Sequence, residues 1–267
     1  MQLWAADGEQ GLMRAKGGDI RRLGPPCGAL CCGWGRVFCA EQHRCVCRDR
    51  DGGGVLFDLP LPTGVCTMTV WDGQVCALSA DADSVTAFSA LTGELKCCAP
   101  AGMYPRDLCV SRQGRFMAVA GGASGSVLLL DRDLRLLKEY RLPGAVCGVH
   151  CLKRSLLALC AVERGDIETR LLRVSLRGAA EEVFSSPLTP ACLCPLPGRG
   201  CAVGCMGRVL FLSADYKIVG ALPCPCPVRM RPTRQGLLIC DPCQGTAALA
   251  GGAVLYRGIS PQDAVLI

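Results

Sequence analysis

Tyr104-Pro105-Arg106-Asp107-Leu108-Cys109-Val110 opens a short unit. It returns through Gly114-Arg115-Phe116-Met117-Ala118-Val119 and continues through Gly125-Ser126-Val127-Leu128-Leu129-Leu130-Asp131. Short apolar runs bounded by Gly, Asp and Pro are the pattern of antiparallel strands joined by tight turns. Ser260-Pro261-Gln262-Asp263-Ala264-Val265-Leu266 starts the same pattern again: Pro, a polar residue, Asp, then apolar residues. No chain remains there to complete it. The missing strands are expected at the other end, in Met1 to about Gly24.

The unit recurs along the chain. Copies align over residues 26–62, 64–101, 103–144, 145–188, 189–224 and 225–258. Six copies and one shared unit in 267 residues give about 38 residues per unit, the length of a four-stranded blade. The expected fold is all-β: a single-domain, seven-bladed β-propeller over residues 1–267. Its last blade is shared between about 1–24 and 259–267, so that strands from both termini close the ring. Six blades would result if the shared unit were absorbed by its neighbours.

Several opening strands follow a proline at one offset: Pro62 to Cys66, Pro105 to Cys109, Pro143 to Cys147, Pro190 to Cys194 and Pro225 to Arg229. The opening strand is expected to be innermost. Blades taper toward the axis, so a cysteine there is read as a small packing residue, with a functional ring of channel thiols as the alternative.

The Tyr-Pro-Arg-Asp-Leu start, the Gly-Arg-Phe-Met-Ala-Val return and the Gly-Ser-Val-Leu-Leu-Leu-Asp third strand resemble YVTN-type repeats. The chain is similar to the bacterial propellers grouped with the lactonase-like family. That resemblance implies a blade architecture and, by analogy only, lactone hydrolysis.

Composition narrows the classes. The net charge is +6 and aromatic residues are 5% of the chain, with basic residues scattered, so nucleic-acid binding is not expected. No basic, apolar leader opens the sequence, and its longest uncharged stretches are too short to span a bilayer. The expectation is a cytoplasmic, monomeric protein without a membrane partner. The 22 cysteines are then read as reduced, small hydrophobes rather than a disulfide framework.

Candidate chemistry is sparse. Calcium at a propeller axis needs oxygen ligands, and the chain has no Asn and no matched set of acids on the opening strands. Asp107 and Asp263, each two places after the repeat's proline, are expected to fix turns. Cys224, Cys226, Cys240 and Cys243 form C-x-C followed by C-x-x-C, and four thiolates at one blade end would hold zinc tetrahedrally. Chance pairs among so many cysteines are the alternative, and no other cofactor is expected. Gly121 to Gly125 and Gly52 to Gly54 are glycine-rich but precede strands, not helices, so they read as turns rather than phosphate loops.

Arg106, Asp107, Arg229, Arg231, Gln262 and Asp263 are expected to converge at one mouth of the channel, as a ligand-binding surface. They would bind an anionic ligand or acidic peptide there, or pair with one another and cap the channel. Two functions follow. One is a non-catalytic scaffold that binds a protein or a small anionic ligand, consistent with the lack of a convergent acid–base or nucleophile set. The other is a lactonase-like hydrolase, which needs Arg106, Asp107, Asp263 and His150 within hydrogen-bonding reach of one another.

Overall fold

The computed structural model describes residues 2–196 and 200–267, and among them 28 strands form seven four-stranded antiparallel sheets. Six sheets are built from consecutive strands, in chain order from the axis outward. Their inner strands are Cys27–Gly33, Val65–Trp71, Asp107–Val110, Ala145–Cys151, Pro190–Leu196 and Arg229–Thr233. These define blades 1 to 6. Blade 7 has Pro261–Leu266 innermost, followed by Gln2–Asp7, Gly11–Lys16 and Asp19–Arg22. The ring therefore closes as the repeat demands, with Trp4 opposite Val265 and Ala5 opposite Ala264.

The core is a ring of seven clusters, one at each blade interface. Phe38 of blade 1 packs on Met68 and Phe88 of blade 2, while Trp4 and Val265 of blade 7 pack on Leu30 and Val37 of blade 1. Each blade buries both faces, so its middle strands read as unbroken apolar runs such as Met117–Ala120 and Ser126–Leu130. The fourth strands face solvent and alternate instead, as in Leu136–Arg141.

Cysteine fits these interfaces by size. All fourteen buried cysteines lie in the seven clusters, and every cluster holds at least one. Cys31 is buried and Cys32 exposed, as alternation along a strand requires. Burial in apolar surroundings also pushes these thiols up, Cys76 and Cys160 to about 12, so they act as hydrophobes.

Closure is also bonded by polar groups. Asp7, fully buried, accepts the backbone N–H groups of Glu9, Gln10, Ile259 and Ser260 at 2.8 to 3.1 Å, and Tyr256 donates its hydroxyl at 3.1 Å. One carboxylate thus joins the second strand of blade 7 to the segment that leads into its first. In blade 4 the hairpin Ser155–Arg164 and Asp166–Ser175 outruns the apolar pattern, which stops near Ala161. Backbone pairing carries on through exposed Glu163, Arg164 and Asp166, where no buried face is needed. No helix among the described residues is long and apolar enough to cross a membrane.

Candidate ligand site at the channel mouth

The inner strands deliver side chains to the channel in layers, set by a repeated β-bulge. Gly28, Cys66, Cys147, Ala191 and Gln262 are each the extra residue where the inner strand slips against its neighbour. Arg106 and Val228 hold the same place in blades 3 and 6, just before the pairs Asp107–Ala120 and Arg229–Cys240. All seven line one cavity of about 530 Å³ at the mouth.

One residue further on, Ala29, Thr67, Asp107, Gly148, Cys192, Arg229 and Asp263 form the second layer. Two residues beyond come Cys31, Thr69, Cys109, His150, Cys194, Arg231 and Val265. The layers follow from strand register, since residues two apart share a face. The proline offset therefore does not mark one level. Cys66 and Cys147 fall on bulges, Arg229 in the second layer, and Cys109 and Cys194 in the third. A bulge in most strands, placed differently relative to its proline, breaks the count.

Asp107 and Asp263 are not turn residues. Each sits on an inner strand and meets an arginine of blade 6. Arg231 donates Nε and Nη2 to the two oxygens of Asp263 at 2.9 and 2.6 Å, and Nη2 also donates to the carbonyl of Leu30 at 2.7 Å. Asp263 has no exposed side-chain surface and also accepts the N–H groups of Leu30 and Ala264 at 3.0 and 2.9 Å. Burial alone would raise its carboxyl, but Arg231, with Arg229 and Leu30, holds it below the usual carboxylate range.

Asp107 is held less completely. Arg229 reaches across the channel to donate Nη1 to it at 3.3 Å and Nη2 to the Cys66 carbonyl at 2.7 Å. The Val149 N–H donates to its other oxygen at 3.1 Å. Arg229 Nε is buried with no partner among the described residues. Burial wins here: it raises the Asp107 carboxyl to about 6 despite Arg229 and the Val149 N–H.

The six candidates thus separate. Arg106, Asp107, Arg229 and Gln262 line the mouth cavity. Asp263 is sealed beneath it, and Arg231 faces a cavity of about 770 Å³ with Cys32, Arg50 and Arg234. Pairing occupies Arg229 and Arg231, while Arg106 is exposed and its side chain makes no ion pair or hydrogen bond among the described residues. Arg106, Asp107, Asp263 and His150 do not form one hydrogen-bonded set: His150 bonds Cys109, and the two acids bond different arginines.

The four candidate zinc thiols are likewise divided. Cys224 Sγ donates to Asp241 at 3.2 Å in the cluster between blades 5 and 6, whereas Cys240 is buried between blades 6 and 7. Cys226 and Cys243 face each other near the surface. Among the described residues no three Cys, His, Asp or Glu side chains gather as a metal site. Position is the reason: Cys240 lies within the strand Gly236–Asp241 and is buried, whereas Cys243 lies in the turn after it and is exposed.

The opening-strand cysteines, read from the sequence as packing residues or a ring of channel thiols, fall into two groups. Cys66 and Cys147 flank Arg106 on the mouth cavity, with burial raising both thiols, Cys66 to about 11. Deeper, Cys109 meets His150 and Cys151 of the next blade. Their only sequence signal is position: each lies on an opening strand, and Asp107 and Val149 set the register between them.

No protein-family model matches this sequence, and no curated protein matches it. Solved structures do. A proposed 6-phosphogluconolactonase from Bacteroides uniformis superposes with a TM-score of 0.75 at 11% identity, covering 100% of this chain and 99% of that one. A proposed 6-phosphogluconolactonase from Bacteroides fragilis gives 0.73 at 10% identity, over 100% and 97%. A chain of a mitotic checkpoint complex gives 0.75 at 11% identity, over 90% and 81%. Such different proteins share the architecture alone.

Proposed function

We propose that this chain is a non-catalytic binding propeller that takes a small anionic ligand in its mouth cavity. One observation carries this: Arg106 stands exposed and unpaired on a cavity of about 530 Å³. Gln262 lies on the same rim, and Arg229, partly engaged by Asp107, lies on the floor. The volume suits a metabolite-sized ligand. A guanidinium takes a carboxylate or phosphate through two parallel N–H bonds, and Gln262 can accept or donate beside it.

Calorimetric titration with sugar phosphates and dicarboxylates tests this. Binding should weaken about tenfold to a hundredfold in Arg106→Ala, the loss of one charge-assisted contact. An absence of binding by every probe, or equal binding by the variant, would reject the proposal.

A second reading rests on Asp107. It is the acid on that cavity, and its carboxyl, raised to about 6, suits a general base near neutral pH. With Arg106 to hold a phosphate, a phosphorylated sugar lactone would be the substrate class, in line with the proposed 6-phosphogluconolactonases that share the fold. Hydrolysis of such a lactone above the spontaneous rate, abolished in Asp107→Asn, would establish it. A rate equal to buffer would remove it.

A further inference from the structure

Cys109 is unlike the other cysteines of the chain. Its Sγ lies 3.4 Å from Nδ1 of His150, and the backbone N–H of Cys151 donates to it at 3.5 Å. The Cys151 thiol in turn donates to the Cys109 carbonyl at 3.4 Å. The two cysteines belong to adjacent inner strands, in blades 3 and 4, and make none of these contacts through a shared sheet. Cys109 and His150 are both half-buried, in the third layer of the channel.

From this geometry we propose that Cys109, with His150 and Cys151, is a nucleophilic thiol site for small peroxide-class electrophiles. A thiolate next to an imidazolium and a backbone N–H is the arrangement that makes sulfur reactive. The acidity of the group agrees. The Cys151 thiol, when it turns its hydrogen from the Cys109 carbonyl to the sulfur, favours the Cys109 thiolate most, burial opposes it, and His150 and the Cys151 N–H add to the first, so the thiol is held well below its ordinary value. Cys151 is pushed up in return and stays protonated. Cys66 and Cys147, on the same channel, are pushed up instead.

The chemistry balances. The Cys109 thiolate attacks one oxygen of hydrogen peroxide, an S–O bond forms and the O–O bond breaks. The leaving hydroxide takes a proton from the His150 imidazolium and departs as water. Sulfur has lost two electrons and peroxide has gained them, leaving Cys109 as sulfenic acid. The Cys151 thiol can then attack that sulfur. An S–S bond forms, the S–OH bond breaks, and water carries off the thiol proton. Neither step uses Arg106 or the mouth cavity, so this site stands whether or not an anion binds above it.

The expected advantage is largest in mild acid. At pH 6 an activated thiol is mostly thiolate, whereas an ordinary thiol is below about 1% ionised. The lower intrinsic nucleophilicity of an acidic thiol removes most of that gain, leaving roughly tenfold. The ionisable groups facing Cys109 are His150 and Cys151 from blade 4 and Asp107 on its own strand.

The experiment is one equivalent of hydrogen peroxide added to reduced protein at pH 6 with dimedone present, followed by peptide mass spectrometry. Solvent exposure alone predicts attack at Cys32, Cys98 and Cys243, the exposed thiols. The proposal predicts either a dimedone adduct on Cys109 or a Cys109–Cys151 disulfide, about tenfold ahead of those three. Oxidation that follows exposure would overturn it. In His150→Asn the excess should fall, and the pH midpoint of Cys109 alkylation by iodoacetamide should rise part of the way toward that of an ordinary thiol. An unmoved midpoint would remove His150 from the site.

Discussion

Arg231–Asp263 and Arg229–Asp107 are two ion pairs made by one strand, two residues apart, and they are built to different standards. The first is bidentate, and Asp263 is sealed and accepts two further backbone N–H groups. The second has one contact of 3.3 Å, a buried guanidinium nitrogen without a partner, and a carboxylate that opens on a cavity. Opposite carboxyl acidities follow, lowered in Asp263 and raised to about 6 in Asp107. A saturated pair holds a ring shut. An unsaturated one beside a cavity is where a ligand's oxygens would complete the bonding.

The largest test of that contrast is Asp263→Ala. It leaves the Arg231 guanidinium without its counter-charge and the Leu30 N–H without its acceptor, at the point where blades 6, 7 and 1 meet. A loss of about 3–5 kcal/mol is expected in urea unfolding, a large fraction of an ordinary domain's stability. Asp107→Asn should cost far less at pH 7, within about 1 kcal/mol of the parent, because the fold already disfavours that charge. Equal losses would erase the distinction between the pairs.

Stability against pH should show the two acids with opposite signs. Asp107 has its carboxyl raised in the fold, so its contribution is fully present below the ordinary value and is lost as pH rises through about 6. Asp263 and Asp7 are lowered, so theirs is present above the ordinary value and is lost as pH falls through the folded one. Urea midpoints should therefore lose their decline between about pH 4 and 6 in Asp107→Asn while keeping the acid-side fall. A decline that survives the substitution would assign it to another group.

A smaller effect is expected at the other sealed carboxylate. Tyr256→Phe removes one donor from Asp7, which keeps four backbone N–H groups. The loss should be about 1 kcal/mol by thermal or urea unfolding. A loss as large as that of Asp263→Ala would mean that the phenol, not the backbone, holds the closure.

Much of this architecture was legible in the chain. The Pro-x-Asp start shared by residues 105–110 and 261–266 announced the closure, and the apolar run from Gly125 to Asp131 placed the strand Ser126–Leu130 within a residue. Size explained the cysteines, since a blade interface wants small apolar groups. The site was legible only in outline. Four of the six candidate residues do line one cavity, but Asp263, the residue after a bulge, and Arg231, two residues past Arg229 on the same face, lie beneath it, a depth that proline spacing does not report.

What the sequence determined by itself is the number of blades, the sharing of the last one and the apolar character of each interface. Those depend on local periodicity, which is written in consecutive residues. Only the tertiary structure decided that Arg229 spans the channel to Asp107, 122 positions away, and that Cys109 meets His150, 41 positions away. Closing a ring brings together side chains whose separation in sequence carries no pattern, and the charges and hydrogen bonds met there, set against burial, decide whether a carboxyl or a thiol is raised or lowered.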